Sequence, residues 1–297
     1  MGSEMCIRDS NIGDQLNLMT AYATSPGYRE EAKIRYDKYI ASFYPTLDST
    51  PGGVAARDID RLIRSGDVRF GIPKESELIN IDMKRLEDWL DPNLEDSAIE
   101  IGVVGDFDRE QIISEVARTF GALPKRLKKH QRSDEKIRNL VFPKGTTRPV
   151  KLSHAGQSDT AMLRIYWPAP DGRDALTARR MGMLSQLFQL RLTEVMREEE
   201  GASYSPSAFN FNPRTYPDYG YVGVSLELNP EDIDRISAKV DEIAKEFKAG
   251  GFDEDLFERA IKPALESIET SLENNGCLLY TSPSPRDATL SRMPSSA

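Results

Sequence analysis

Arg197 and Tyr204 are the two residues of this sequence whose types and spacing best suit the binding of a ligand. They stand seven positions apart in the stretch MREEEGASYSPSAFN, Met196 to Asn210. A helical pattern ends at Gly201, a residue suited to the left-handed conformation that commonly ends helices, and an alternating strand pattern follows. Guanidinium and phenol groups are both hydrogen-bond donors, so each can bind a carbonyl or oxyanion oxygen.

Both residues also have a purely structural explanation. Arg197 would be a cation stabilised by the dipole at the carboxyl end of a helix. Tyr204 would be a half-buried aromatic residue at the start of a strand. Taken alone, the two residues favour this structural explanation, because their types are common at such positions.

The elements that position these residues follow from the spacing of apolar side chains. Asp108 is the best N-cap candidate, and Asp106 reads as a turn residue before it. From residue 149 onwards the order is strand, strand, helix, strand, strand, helix, helix, which predicts an α+β fold with helices on a mostly antiparallel sheet. Helices are predicted over residues 13–23, 29–43, 50–64, 82–90, 109–120, 176–200, 231–248 and 254–272, and strands over residues 99–104, 148–154, 160–168, 202–211 and 219–228.

Length and charge narrow the class of protein. The chain has 297 residues, of which 39% are hydrophobic and 29% are charged, as in soluble globular proteins of about two domains. Its net charge of −9 argues against binding to nucleic acid or to anionic membrane surfaces. No apolar run approaches the roughly 18 residues of a membrane-spanning segment.

Few residues are available to bind a metal. The chain has two cysteines, Cys6 and Cys277, and two histidines, His130 and His154. A zinc site needs three or four histidine, cysteine or carboxylate ligands, and none of the usual zinc motifs is present. We therefore predict no metal site, a hydrogen-bonded or solvated His154 and a solvated His130.

The two ends of the chain do not match the rest of it. Residues 1–10 (MGSEMCIRDS) and 277–297 resemble translated sequencing-adapter reads, and the second of these has the Ser- and Pro-rich composition of a disordered tail. We expect both ends to be artefactual or disordered, which would make both cysteines artefactual as well.

The interior resembles the pitrilysin/insulinase family of zinc metallopeptidases. The resemblance rests on IGVVGDFDREQIISEVARTFGALP (residues 101–124) and LTEVMREEEGASYSPSAF (residues 192–209). DQLNLMTAYATSPGYREEA (residues 14–32) and GDVRFGIP (residues 66–73) are similar to the C-terminal half of the larger bacterial members. The resemblance covers residues 11–276.

This resemblance implies two metalloprotease-like α+β domains, each a mostly antiparallel sheet packed with helices, and both incomplete. Residues 11–124 would be the end of the third of four domains in a clamshell. Residues 125–148 would be a linker, and residues 149–276 a C-terminally truncated fourth domain. In the family, zinc is held by an H-x-x-E-H motif on the first domain, so this chain would bind no cofactor and would be inactive alone.

The resemblance also assigns roles. Arg197 and Tyr204 match an arginine and a tyrosine that reach the substrate beside the zinc, so they would bind the peptide carbonyl. The partners would be a peptide substrate and the missing N-terminal catalytic half, in a bacterial periplasm or cell envelope. Two alternatives stay open: a non-catalytic structural or substrate-presenting relative, and a plain α+β binding domain with no peptidase history.

Four aromatic residues are lower-ranked candidates for binding a ligand. Tyr166 and Trp167 end a predicted strand, and we expect them to pack in the protein. Phe209 and Phe211 could offer a strand edge to an extended peptide, although packing within the sheet is the favoured prediction.

Overall fold

Three strands and ten helices form the described part of the chain, residues 12–127, 135–144, 149–198 and 206–271 of a computed structural model. The helices are α1 (Ile12–Thr24), α2 (Glu30–Asp48), α3 (Pro51–Leu62), α4 (Glu75–Ile79), α5 (Met83–Asp96), α6 (Arg109–Arg118), α7 (Glu135–Arg138), α8 (Ala175–Glu198), α9 (Ile233–Lys248) and α10 (Glu254–Ser271). The strands are β1 (Ala161–Pro168), β2 (Ser207–Phe211) and β3 (Tyr221–Leu228). The predicted α+β class is confirmed.

Local capping chemistry explains where several helices begin. The Asp108 carboxylate accepts a hydrogen bond from the backbone N–H of Gln111 at 2.7 Å, which confirms it as the N-cap of α6. The hydroxyl of Thr50 accepts in the same way from Gly53 at 3.0 Å, with a proline in the first turn of α3. These starts depend on residues within one turn, so the sequence predicts them well.

The sheet is antiparallel, with β3 between β1 and β2. Alternate residues of a strand point to opposite faces, and β3 follows that rule. One face carries Val224, Leu226 and Leu228, which pack with α8 and α9 in the main core. Leu192 and Met196 of α8 and Ile236 of α9 are all 0% exposed in this core. The burial fixes α8 on the sheet.

The opposite face of the sheet is aromatic. Tyr166, Phe209 and Tyr221 meet edge to face, with ring centroids 5.4–6.4 Å apart. Gly223 makes room for them, since a side-chain carbon there would lie 2.7 Å from the Phe209 ring. This confirms that Tyr166 and Phe209 pack within the protein; Phe211 stacks on Tyr221 in the same cluster, and Trp167 packs on Phe188 in the main core on the other face.

The end of α3 lies against this aromatic face. The Tyr219 hydroxyl donates a hydrogen bond to the carbonyl oxygen of Ile63 at 2.9 Å. The guanidinium of Arg64 is buried and lies 4.2 Å from the centre of the Phe70 ring, while its Nη1 binds Asp60 at 2.7 Å. Residues that the sequence assigns to the first domain therefore contribute to the core of the sheet.

Two predicted strands are wrong for the described chain. Residues 99–104 and 149–154 are not strands, although their apolar pattern predicts strands there. Ile99 and Ile101 are 40% and 38% exposed. A strand needs a neighbour to take its backbone hydrogen bonds, and within the described residues no strand lies beside either segment.

By contacts, the chain divides into two compact units. One contains residues 12–30, 82–127 and 264–271, and the other contains the remaining described residues from 31 to 263. In the first unit α1 packs with α5 and α6, and the Tyr28 hydroxyl donates to Asp91 at 2.5 Å. The predicted domain limits, with domains at 11–124 and 149–276 and a linker at 125–148, stay a prediction. The expected ends, 1–10 and 277–297, lie outside the described residues.

Candidate functional site

Arg197 lies in the last turn of α8 with its side chain exposed. The two residues before it, Val195 and Met196, are buried in the core between the sheet and α9. The buried face holds the helix, so the direction in which Arg197 projects is fixed by packing. Tyr204 and Gly201 lie outside the described residues, and their arrangement with Arg197 stays a prediction.

Other arginines near Arg197 are already paired. On the α9 and α10 side of α8, Arg191 lies 3.4 Å from Glu246, and Arg259 lies 2.6 Å from Glu194. The Glu194 carboxylate raises the pKa of Arg259 and keeps it charged. No described side chain makes a hydrogen bond or ion pair with Arg197. Among the described residues, the Arg197 guanidinium is thus exposed and has no side-chain partner.

A side-chain amide joins α8 to the start of β2. Gln189 Nε2 donates to the carbonyl oxygen of Pro206 at 2.9 Å, and the backbone N–H of Ala208 donates to Gln189 Oε1 at 2.6 Å. One turn earlier, the Ser185 hydroxyl lies 2.9 Å from Asn210 Oδ1. The first residues of β2 are thus bound to the helix that carries Arg197.

The far end of β2 is held by a second hydrogen-bonded group. Asn212 donates to the carbonyl oxygen of Pro170 at 2.6 Å. The neighbouring Asp171 carboxylate accepts from the backbone N–H groups of Arg173 and Asp218 at 2.9 and 2.7 Å. The Arg173 side chain also donates to the Asp171 carboxylate. This bond, together with the two backbone bonds, holds the pKa of Asp171 well below its ordinary value.

We expect the Asp171→Asn variant to melt below the wild type at pH 7, because the amide cannot accept all of these hydrogen bonds. A carboxylate with a lowered native pKa stabilises the fold fully above its unfolded pKa of about 3.9 and loses that contribution as pH falls through the native pKa. Since Arg173 is half exposed, solvent weakens its ion pair, and we expect the variant to lose about 1 kcal/mol of the free energy of unfolding. This corresponds to roughly 2–4 °C in melting temperature.

The measurement is thermal unfolding of both proteins between pH 7 and pH 2. The gap in melting temperature should narrow as the pH drops below about 4. Asp159→Asn, at an exposed carboxylate of the preceding loop, is the control and should change little. A gap that stays constant over this pH range would contradict the assigned role of the Asp171 charge.

The remaining candidate residues have structural roles or lie outside the described chain. His154 lies in a loop, where Nε2 is 2.9 Å from the carbonyl oxygen of Thr160 and Nδ1 accepts from the backbone N–H of Gly156, so the predicted hydrogen bonding is confirmed. His130, Cys6 and Cys277 lie outside the described residues.

Sequence reasoning missed Gln189, although a signal for it exists. Ser185, Gln189, Thr193 and Arg197 follow one another at intervals of four along α8, so they form a polar ridge along one side of the helix, next to its apolar core positions. We call these four residues the polar ridge. A break in the apolar pattern at such spacing indicates a helix side that binds something other than the core.

In the described ranges, no three His, Cys, Asp or Glu side chains lie together in a way that could hold a metal ion. Among the described helices, none combines the length and the apolar character needed to cross a membrane.

Known structures share this fold. A peptidase M16 inactive domain from Pseudomonas fluorescens has a TM-score of 0.66 at 18% identity, over 90% of this chain and 62% of that one. The periplasmic protease PqqL from Escherichia coli has a TM-score of 0.58 at 14% identity, over 92% of this chain and 31% of that one. The ferredoxin protease FusC, solved with Arabidopsis ferredoxin, has a TM-score of 0.68 at 12% identity, over 92% and 29%.

The chain spans about a third of the length of PqqL and FusC. At these identities the likeness shows a shared fold, and no curated protein matches the sequence. The sequence itself matches the family described as the peptidase M16 inactive domain over residues 80–263. Since this match extends over more than half of the chain, the protein belongs to the family of peptidase M16 inactive domains.

Proposed function

We propose that this chain is the substrate-binding, non-zinc part of a zinc metalloendopeptidase that hydrolyses peptides inside a clamshell chamber. The observation that carries the proposal is the exposed Arg197, which stands at the end of a helix fixed by burial and has no partner among the described side chains. Membership of the peptidase M16 inactive-domain family supports it.

The proposed role follows from the chemistry of peptide hydrolysis. Negative charge develops on the carbonyl oxygen of the scissile bond, and donors aimed at that oxygen lower the barrier. Arg197 would supply a charged donor, and Tyr204 a phenolic one. Zinc and its activated water would come from an N-terminal half that this chain does not contain, so the chain alone would bind peptide weakly and cleave nothing.

Two further proposals concern the partner and the compartment. The partner would be an extended peptide or an unfolded protein segment; the structure of FusC with ferredoxin supports a protein substrate. The compartment would be a bacterial periplasm or cell envelope, and the likeness to the periplasmic protease PqqL supports it.

The second candidate is a non-catalytic relative that presents substrates or serves as a structural subunit. The description of the matched family as inactive favours it. Fold alone does not decide between the two, because one fold supports several functions.

Sequence upstream of this chain separates the candidates. We would amplify the source locus from a primer within the codons of residues 100–120 and read several hundred codons upstream. An in-frame H-x-x-E-H helix with a later glutamate is the expected result. An in-frame upstream half without that motif would leave Arg197 no chemistry to assist and would establish the non-catalytic candidate.

A further inference from the structure

The outer edge of β2 is bound to a side chain. Backbone groups of residues two apart on an antiparallel strand point to the same side. Pro206 O and Ala208 N–H are such a pair. Gln189 Oε1 accepts from the Ala208 N–H at 2.6 Å, and Gln189 Nε2 donates to the Pro206 carbonyl oxygen at 2.9 Å. The Gln189 amide thus makes the two hydrogen bonds that a neighbouring strand would make.

Thr193, the next residue of the polar ridge, holds this amide in place. Gln189 Nε2 donates to Thr193 Oγ1 at 3.0 Å, and that hydroxyl donates to the backbone carbonyl oxygen of Gln189 at 2.7 Å. Both polar atoms of the amide are therefore satisfied, and its orientation is fixed. Arg197 follows one turn later on the same ridge.

We infer that Gln189 is a positioning residue for substrate binding: it holds the start of β2 at a fixed place beside the helix that carries Arg197. The inference rests on the proposed function. The same two bonds occupy the donor and the acceptor that a peptide would need at residues 206 and 208 to join the sheet edge. A substrate beside the start of β2 and the end of α8 would then be bound by side-chain donors. Among the described residues, Arg197 is such a donor.

The test uses three variants of the full chain. Gln189→Met keeps the side-chain length and the helix propensity and removes both bonds. Gln189→Glu keeps the acceptor for Ala208, loses the donor to Pro206 and Thr193, and places a carboxylate oxygen against the Pro206 carbonyl oxygen. Arg197→Ala reports the binding role itself, and Gln157→Met, at an exposed loop position, is the control.

Two measurements are made on each protein. Amide hydrogen exchange, followed by NMR, reports the Ala208 N–H, with the N–H of the fully buried Val224 as the internal reference. Fluorescence anisotropy with fluorescein-labelled carboxymethylated β-casein, an unfolded protein, reports the Kd for an extended chain. We expect Gln189→Met to speed Ala208 exchange and to raise the Kd, each by roughly three- to tenfold, the size of one or two ordinary hydrogen bonds.

Gln189→Glu should also raise the Kd, because its carboxylate oxygen would face the Pro206 carbonyl oxygen without a proton between them. This variant also decides the question if Gln189→Met does not fold. If Arg197→Ala raises the Kd and neither Gln189 variant does, Gln189 is a structural residue only and the inference is overturned while the proposed function stands. If Arg197→Ala leaves the Kd unchanged, the proposed function fails, and the positioning role fails with it.

Discussion

Arg197→Ala is expected, from the proposed function, to lower kcat/KM for peptide hydrolysis by the full-length protein by about 10²–10³, the usual cost of removing one donor to a developing oxyanion. The stability should hardly change, because the side chain is exposed and has no partner among the described residues. The measurement is peptide hydrolysis by the joined halves, with thermal unfolding of the same preparations.

The division of the loss between kcat and KM shows when the contact forms. A donor that binds the carbonyl equally in substrate and transition state raises KM alone, whereas one that binds mainly the oxyanion lowers kcat. Arg197→Lys keeps the charge without the planar fork of donors and should lie between wild type and Arg197→Ala. Arg179→Ala, at an exposed arginine near the other end of α8, is the matched control. Normal turnover by Arg197→Ala would refute the assigned role.

The sequence predicts well those helices and helix ends of this fold that depend on interactions between residues close together in the chain. The starts of α3 and α6 were predictable because Thr50 and Asp108 bind N–H groups three residues later. The position of Arg197 in the last turn of a long helix was also predictable, from the apolar spacing that leads up to it. The short helix Glu75–Ile79 went unpredicted, since five residues are too few to show a period.

The features that were missed depend on distant partners. The apolar run at residues 99–104 has the composition of a strand, but a strand forms only when a neighbour pairs with it. The Gln189 side chain makes hydrogen bonds with backbone atoms 17 and 19 positions further along the chain. Ile63 and Arg64 pack beneath the sheet through Tyr219, 156 positions after Ile63, which no local pattern could indicate.

Leu192→Ala is the change expected to cost the most stability, about 2–5 kcal/mol of the free energy of unfolding. Leu192 is 0% exposed and lies in the core with Val224 and Leu226 of β3 and Ile236 of α9. Packing that is this complete cannot collapse fully around the missing atoms, so the cost includes the cavity as well as the lost burial.

Leu176→Ala is the matched control, because it makes the same substitution on the same helix at a residue that is 55% exposed. We expect the control to stay within about 0.5 kcal/mol of the wild type. Urea unfolding followed by Trp167 fluorescence reports this core, since Trp167 packs on Phe188 there, and Trp89→Phe removes the other tryptophan of the chain. A loss below about 1 kcal/mol in Leu192→Ala would mean that α8 is not held by this core. The fixed direction of Arg197, five residues further along the same helix, would then lose its physical basis.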